Sequence, residues 1–166
     1  MVTNEHSSYG KEILGWLSDN QTLPANATPV KSTNMVNIVG RTNGALWINV
    51  YAQTAFEIVT TATFSIELKG FTSDVAASAI EPFSKDNKAG EIATGGGTSQ
   101  PEAHYYLLHR TAGDAELTFS AGDLITQCAI PEDMFNALGY DYACLYYTSS
   151  ADESADLVTA FVYAKL

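Results

Sequence analysis

The chain has 166 residues, enough for one domain that removes about two thirds of its unfolded-state surface from water. Hydrophobic residues make up 46% and aromatics 11%, which excludes a mainly disordered chain, while charged residues at 16% are sparse for a fully solvated surface, so part of that surface is expected to be covered by other subunits. A formal charge of −11 argues against a phosphate-tracking nucleic-acid binder and against adsorption on anionic lipid.

In chain order, Tyr9, Ile13, Trp16 and Leu17 recur at the spacing of one helical face, with Ser8 as a candidate N-cap, and predict a helix over 9–17. Two prolines and no periodicity make 18–33 an extended arm, so 1–33 reads as an N-terminal helix and arm and 34–166 as a single β domain. The stretches 62–69 and 115–120 alternate apolar and polar residues as strands with one buried face. Further strands are expected at 35–39, 45–52, 75–80, 104–110, 124–130, 142–148 and 157–164. The polar stretch 84–103, with Gly95, Gly96 and Gly97 at its centre, reads as a long loop. Pro131, Glu132 and Asp133 followed by Gly139 mark a short helix before the penultimate strand. Many short strands without alternating long helices point to an all-β, antiparallel β-sandwich, either jelly-roll or immunoglobulin-like.

Three of these strands are apolar on both faces, which means they are covered twice. Either the N-terminal helix lies on the second face, or that face is a homotypic subunit interface centred on Trp47, Tyr51, Tyr146, Phe161 and Tyr163.

Chemistry is thinly represented. Cys128 and Cys144 have no ligand or redox spacing and read as small hydrophobes. His104 and His109, five apart on one strand, fall on opposite faces unless a bulge intervenes. Zincin, nucleophile-elbow, P-loop and EF-hand motifs are absent, so neither enzyme activity, a metal nor a cofactor is expected. Residues 111–166 carry nine Asp and Glu against Lys165 alone, and the turn with Asp152, Glu153 and Asp156 is a candidate partner-facing acidic surface or cation site.

The stretch 17–40, with Ser18-Asp19-Asn20-Gln21 and Ser32-Thr33-Asn34-Met35-Val36, resembles the capsid cement, or decoration, proteins of tailed bacteriophages. So do the strands 45–52 and 63–68, and the ending 139–166 with its Leu145-Tyr146-Tyr147-Thr148 strand, polar turn and Val158–Val162 strand. The resemblance implies a jelly roll on the outer surface of an HK97-type shell in the virion, made in the host cytoplasm and often dimeric. It implies binding to the major capsid protein, without membrane or nucleic-acid partners. The capsid contact is expected on the arm at Trp16 and Leu17. Residues 1–16 precede the part that looks like the family, and the 84–103 loop is longer than such proteins usually carry. A carbohydrate-binding β-sandwich of a phage fibre or secreted protein is the alternative, with Trp47 and surface tyrosines as stacking platforms.

Overall fold

The computed structural model describes residues 11–26, 28–37, 46–71, 92–96, 101–130 and 142–165. Its twelve described strands are β1 (Lys11–Thr22), β2 (Val30–Lys31), β3 (Val36–Asn37), β4 (Leu46–Ala52), β5 (Phe56–Ile58), β6 (Phe64–Phe71), β7 (Ile92–Gly96), β8 (Pro101–Arg110), β9 (Leu117–Phe119), β10 (Leu124–Ala129), β11 (Tyr142–Ser149) and β12 (Leu157–Lys165). One sheet runs β1-β12-β4-β10. A second runs β2-β11-β6-β8-β7, with β3 also on β11, and β5 pairs β9 alone. Every pairing among them is antiparallel, so the chain is all-β as its alternating patterns require.

The strand period of two sorts the side chains. On β4 and β12, Leu46, Ile48, Val50, Ala52, Val158, Ala160 and Val162 are buried in a cluster that also holds Ile66, Leu68, Leu145 and Tyr147 from the second sheet. Each fully buried Leu, Ile or Val contributes about 1.5–3 kcal/mol by leaving water, so both sheets depend on this shared core.

The helix expected over 9–17 is instead a strand throughout its described part. Register shifts interrupt β1 between Ile13 and Gly15, Trp16 and Ser18, and Ser18 and Gln21. Each inserts one extra residue and reverses the facing of the residues after it, so a bulged strand reproduces the three- and four-residue spacing of a helix. Trp16 pairs with Phe161 while Leu17 is fully buried in the core. Gly15 permits the close approach of Val36, whose Cγ2 lies 3.0 Å from where a Cβ would stand.

Residues 18–33 do not hang free. Ser18 and Ser32–Thr33 belong to one polar lock: Ser18 Oγ donates to Gln21 Oε1 (2.8 Å), Thr33 N–H donates to the same oxygen (2.8 Å), and Gln21 Nε2 donates to the Lys31 carbonyl. Ser32 N–H donates to the Leu145 carbonyl (2.7 Å), and Leu145 N–H donates back to Ser32 Oγ (3.0 Å). Ser18, Gln21 and the Ser32–Asn34 stretch are thus the parts that fasten this segment to β1 and β11.

The expected 84–103 loop contains β7 and the first residues of β8, paired Thr94 with Ala103, Gly95 with Glu102 and Gly96 with Pro101. Ladder pairing uses only the backbone, so a Gly-rich strand carries no apolar alternation to reveal it. The strand expected at 75–80 and the short helix expected at 131–139 lie outside the described residues.

Candidate functional site: an aromatic sheet face

The face of the first sheet turned away from the core is built on β12. With Val158, Ala160 and Val162 facing inward, Thr159, Phe161 and Tyr163 face the other way, and register sets them beside Tyr51, Asn49 and Trp47 of β4. Trp16 of β1 joins from the opposite side, opposite Phe161. Phe161 is the hub. Its ring meets Trp16 edge-on at 5.2 Å and 67°, stacks on Tyr51 at 5.9 Å and 13°, and tilts against Tyr163 at 5.9 Å and 53°. Such offset and edge contacts each contribute about 0.5–1.5 kcal/mol beyond area burial.

A string of amides and phenols runs beside the rings. Gln127 Nε2 donates to Asn49 Oδ1 (2.9 Å) and to Tyr163 OH (2.8 Å), and Asn49 Nδ2 donates to Tyr51 OH (3.1 Å). Burial pushes the Tyr163 phenol above its ordinary pKa, partly offset by the Gln127 bond, so it stays neutral near pH 7. Trp16, Trp47, Asn49, Tyr51, Gln127, Thr159, Phe161 and Tyr163 bring no charge. Phe161 and Tyr163 are buried, Trp16, Trp47 and Tyr51 are half-buried, and Leu124, which pairs with Tyr51, is 45% exposed. Asn49 and Thr159 are buried with Phe161 and Tyr163, so what this face offers outward is the half-buried Trp16, Trp47 and Tyr51 rings, Leu124 and the exposed Gln127, which can meet apolar or ring-shaped groups; these residues bring no nucleophile and no acid–base pair.

The candidate residues therefore regroup. Trp47, Tyr51, Phe161 and Tyr163 share one face, and Trp16, expected as a separate capsid contact, sits on that same face. Leu17 faces the core and is not at the surface. Tyr146 belongs to the second sheet, buried, with Lys69 Nζ 4.4 Å from its ring centre.

The acidic turn separates into three environments. Asp152 is exposed and is held below the usual carboxylate range first by the Ser154 hydroxyl and then by the Ser154 N–H, which donates to it at 3.1 Å. Glu153 is buried, and that burial, with Asp156 and Asp152 near it, pushes its carboxyl up. Asp156 accepts from Thr54 Oγ1 (3.3 Å). Among the described residues no three of His, Cys, Asp or Glu are grouped to hold a metal ion.

The strand that carries both histidines has a bulge between them. A register shift in the pairing of β6 with β8 sets His104 opposite Lys69 and His109 opposite Ser65, two β6 positions of the same parity. The extra residue is Leu107, whose carbonyl accepts from Thr126 Oγ1 of β10 (3.0 Å).

Sequence reasoning missed Asn49, Gln127 and the buried Arg110. Arg110 donates from Nε to the Ala115 carbonyl (3.0 Å), from Nη1 to those of Val59 (2.8 Å) and Ala62 (2.6 Å), and from Nη2 to that of Asp114 (2.8 Å). Asn49 could have been found as the one amide in an otherwise apolar β4; nothing local marks Arg110. No protein family, no curated protein and no solved structure was found to match the chain.

Proposed function

We propose that this chain is a virion structural protein, a cement or decoration protein that binds the outside of an assembled HK97-type phage shell and clamps neighbouring major capsid proteins. The two larger sheets would then stack as a jelly-roll sandwich. The observation that carries the reading is the uncharged aromatic face around Phe161 on a chain of net charge −11. Charge depletion with clustered Trp, Tyr and Phe is the composition of the central part of a protein contact, and aromatic anchors dominate the energy of such contacts. The short motifs resembling the cement proteins support the same reading. A clamp that binds only the assembled lattice stabilises it by linkage, and many weak contacts per particle raise the effective affinity, so no turnover is required. A homodimer on the shell is part of the proposal, with the aromatic face as the protein contact surface.

The half-buried Trp16, Trp47 and Tyr51 rings with the exposed Gln127 beside them also suit a sugar, which is the specific observation favouring the carbohydrate-binding alternative. Binding of the purified chain to assembled shells and to a glycan array separates the two: saturable shell binding without glycan binding supports the cement protein, and the converse replaces it.

A further inference from the structure

The turn between β11 and β12 buries a carboxyl that faces other acids. Glu153 is only 6% exposed. The groups acting on its carboxyl are Asp156, Asp152 and the Ser149 hydroxyl, none of them a cation. The segment hydrogen-bonded to the turn, Leu23, Pro24, Ala25 and Asn26, has no titratable side chain, and Thr54 approaches Asp156 as a hydroxyl. On the β6 side, Thr63 N–H donates to Ser150 Oγ (2.8 Å), again without charge.

The same turn grips residues 23–26 through its backbone. Glu153 N–H donates to the Pro24 carbonyl (3.1 Å), Leu23 N–H to the Asp156 carbonyl (2.9 Å), and Asn26 N–H to the Ala151 carbonyl (3.1 Å), while Ala25 and Asp152 form a β-bridge.

The geometry points to a pH-operated clasp: Glu153 carries a proton while the turn holds residues 23–26, and loss of that proton loosens the hold. Protonated, the Glu153 carboxyl can donate to Asp156 and accept from Ser149. When that proton passes to solvent, the buried Glu153 carboxylate is left beside Asp156 and Asp152 with no cation to offset it. Withdrawing Glu153 toward solvent relieves the repulsion, and the movement carries its own N–H and the Asp156 carbonyl, which are two of the bonds on 23–26. Burial and the neighbouring acids both hold the carboxyl above its ordinary range, which moves the release toward neutral pH. The polar lock at Ser18, Gln21 and Thr33 bounds the loosened segment on both sides, so the change is local. This device is independent of whether the chain binds a capsid.

Amide hydrogen exchange on the full chain tests it, read as protection factors at Leu23, Asn26 and Glu153 between about pH 4.5 and about pH 8. Protection at these three amides is expected to fall as the pH rises, by about tenfold for each unit by which the carboxyl is raised. In Glu153→Gln the protection stays level. In Asp156→Asn, which keeps an acceptor for Thr54 and removes one repelling charge, the fall is smaller than in the native chain because burial and Asp152 still hold the carboxyl up; this second variant carries the test should the first fold poorly, and a fall as steep as the native one would overturn the role of Asp156. Protection in the native chain that does not change with pH would overturn the clasp. So would an unchanged slope in Glu153→Gln, or an equal fall at Leu145, which would indicate opening of the whole domain.

Discussion

Tyr147 and Ser18, 129 residues apart, place their hydroxyl oxygens 2.8 Å from each other at the centre of the protein. Ser18 has one proton and gives it to Gln21, so Tyr147 is the donor to Ser18. The bond ties β11 of the second sheet to β1 of the first, and the fully buried phenol is held neutral by its surroundings. Tyr147→Phe keeps the packing and removes only the donor. It is expected to cost about 1 kcal/mol, measured by urea denaturation, because Ser18 retains Gln21 as a partner. A loss several times larger would mean that the ring itself had moved.

Arg110 holds four carbonyls of two connecting turns in place through one guanidinium. Arg110→Met retains the stem and leaves those oxygens to water or unsatisfied. A loss of about 2–4 kcal/mol is expected in the denaturation midpoint, with Arg110→Lys recovering little because one ammonium cannot span the fork.

Gly15 and Val36 form a steric pair. Gly15→Ala brings a Cβ to 3.0 Å from Val36 Cγ2, so the valine must give way. The single variant is expected to lose about 1–2 kcal/mol. In a double-mutant cycle, Gly15→Ala with Val36→Ala should lose less than the sum of the two single changes.

Two acids in one turn respond oppositely to pH. The raised carboxyl of Glu153 gives stability that is complete below the ordinary glutamate value and is lost as pH rises through its folded value. Glu153→Gln is therefore expected to be more stable than the native chain at neutral pH, with the advantage vanishing in acid. Asp152, and Asp114 with its bond from Thr111 N–H (2.8 Å), are held low, so what they contribute is present above the ordinary aspartate value and fades on acidification. Asp114→Asn should lose a little stability at neutral pH and none in acid, measured by denaturation at about pH 3 and about pH 7.

Strands β6 and β9 were legible because Ile66 and Leu68 alternate with Glu67 and Lys69, and Leu117 and Phe119 with Thr118. Yet Glu67 and Lys69 are themselves buried, so the second face of β6 is covered as well, which alternation alone denies. The start of the chain misled for a physical reason: the bulge between Ile13 and Gly15 sets Ile13 opposite Tyr163 and Trp16 opposite Phe161, a three-residue step that imitates a helix, while Leu17 turns into the core, and bulges have no residue signature of their own. β5 was missed because so short a strand cannot show a period, and it exists through pairing with β9, far along the chain. The aromatic face was half visible. Doubly apolar strands marked Trp47, Tyr51, Phe161 and Tyr163, but Trp16 joins them only through the β1–β12 register, and the Asn49–Gln127 string only through that of β4 and β10.

The aromatic face is also the point at which stability and binding can be told apart. Trp16→Ala and Tyr51→Ala each remove a half-buried ring from Phe161 while leaving the hub in place, so each is expected to cost about 0.5–1.5 kcal/mol in stability through the lost ring contact, in addition to the apolar area the ring no longer buries. Loss of binding should be far greater than this when the two are combined, because anchors at the centre of a contact account for most of its energy.

The most direct test of the cement-protein proposal is co-sedimentation of the purified chain with assembled shells of the HK97-type capsid protein encoded nearest its gene. The account predicts saturable pelleting with intact shells and none with unassembled capsid protein. It also predicts that the folded Trp16→Ala/Tyr51→Ala double variant stays in the supernatant. A native chain that remains in the supernatant at saturating shell concentration would contradict the account.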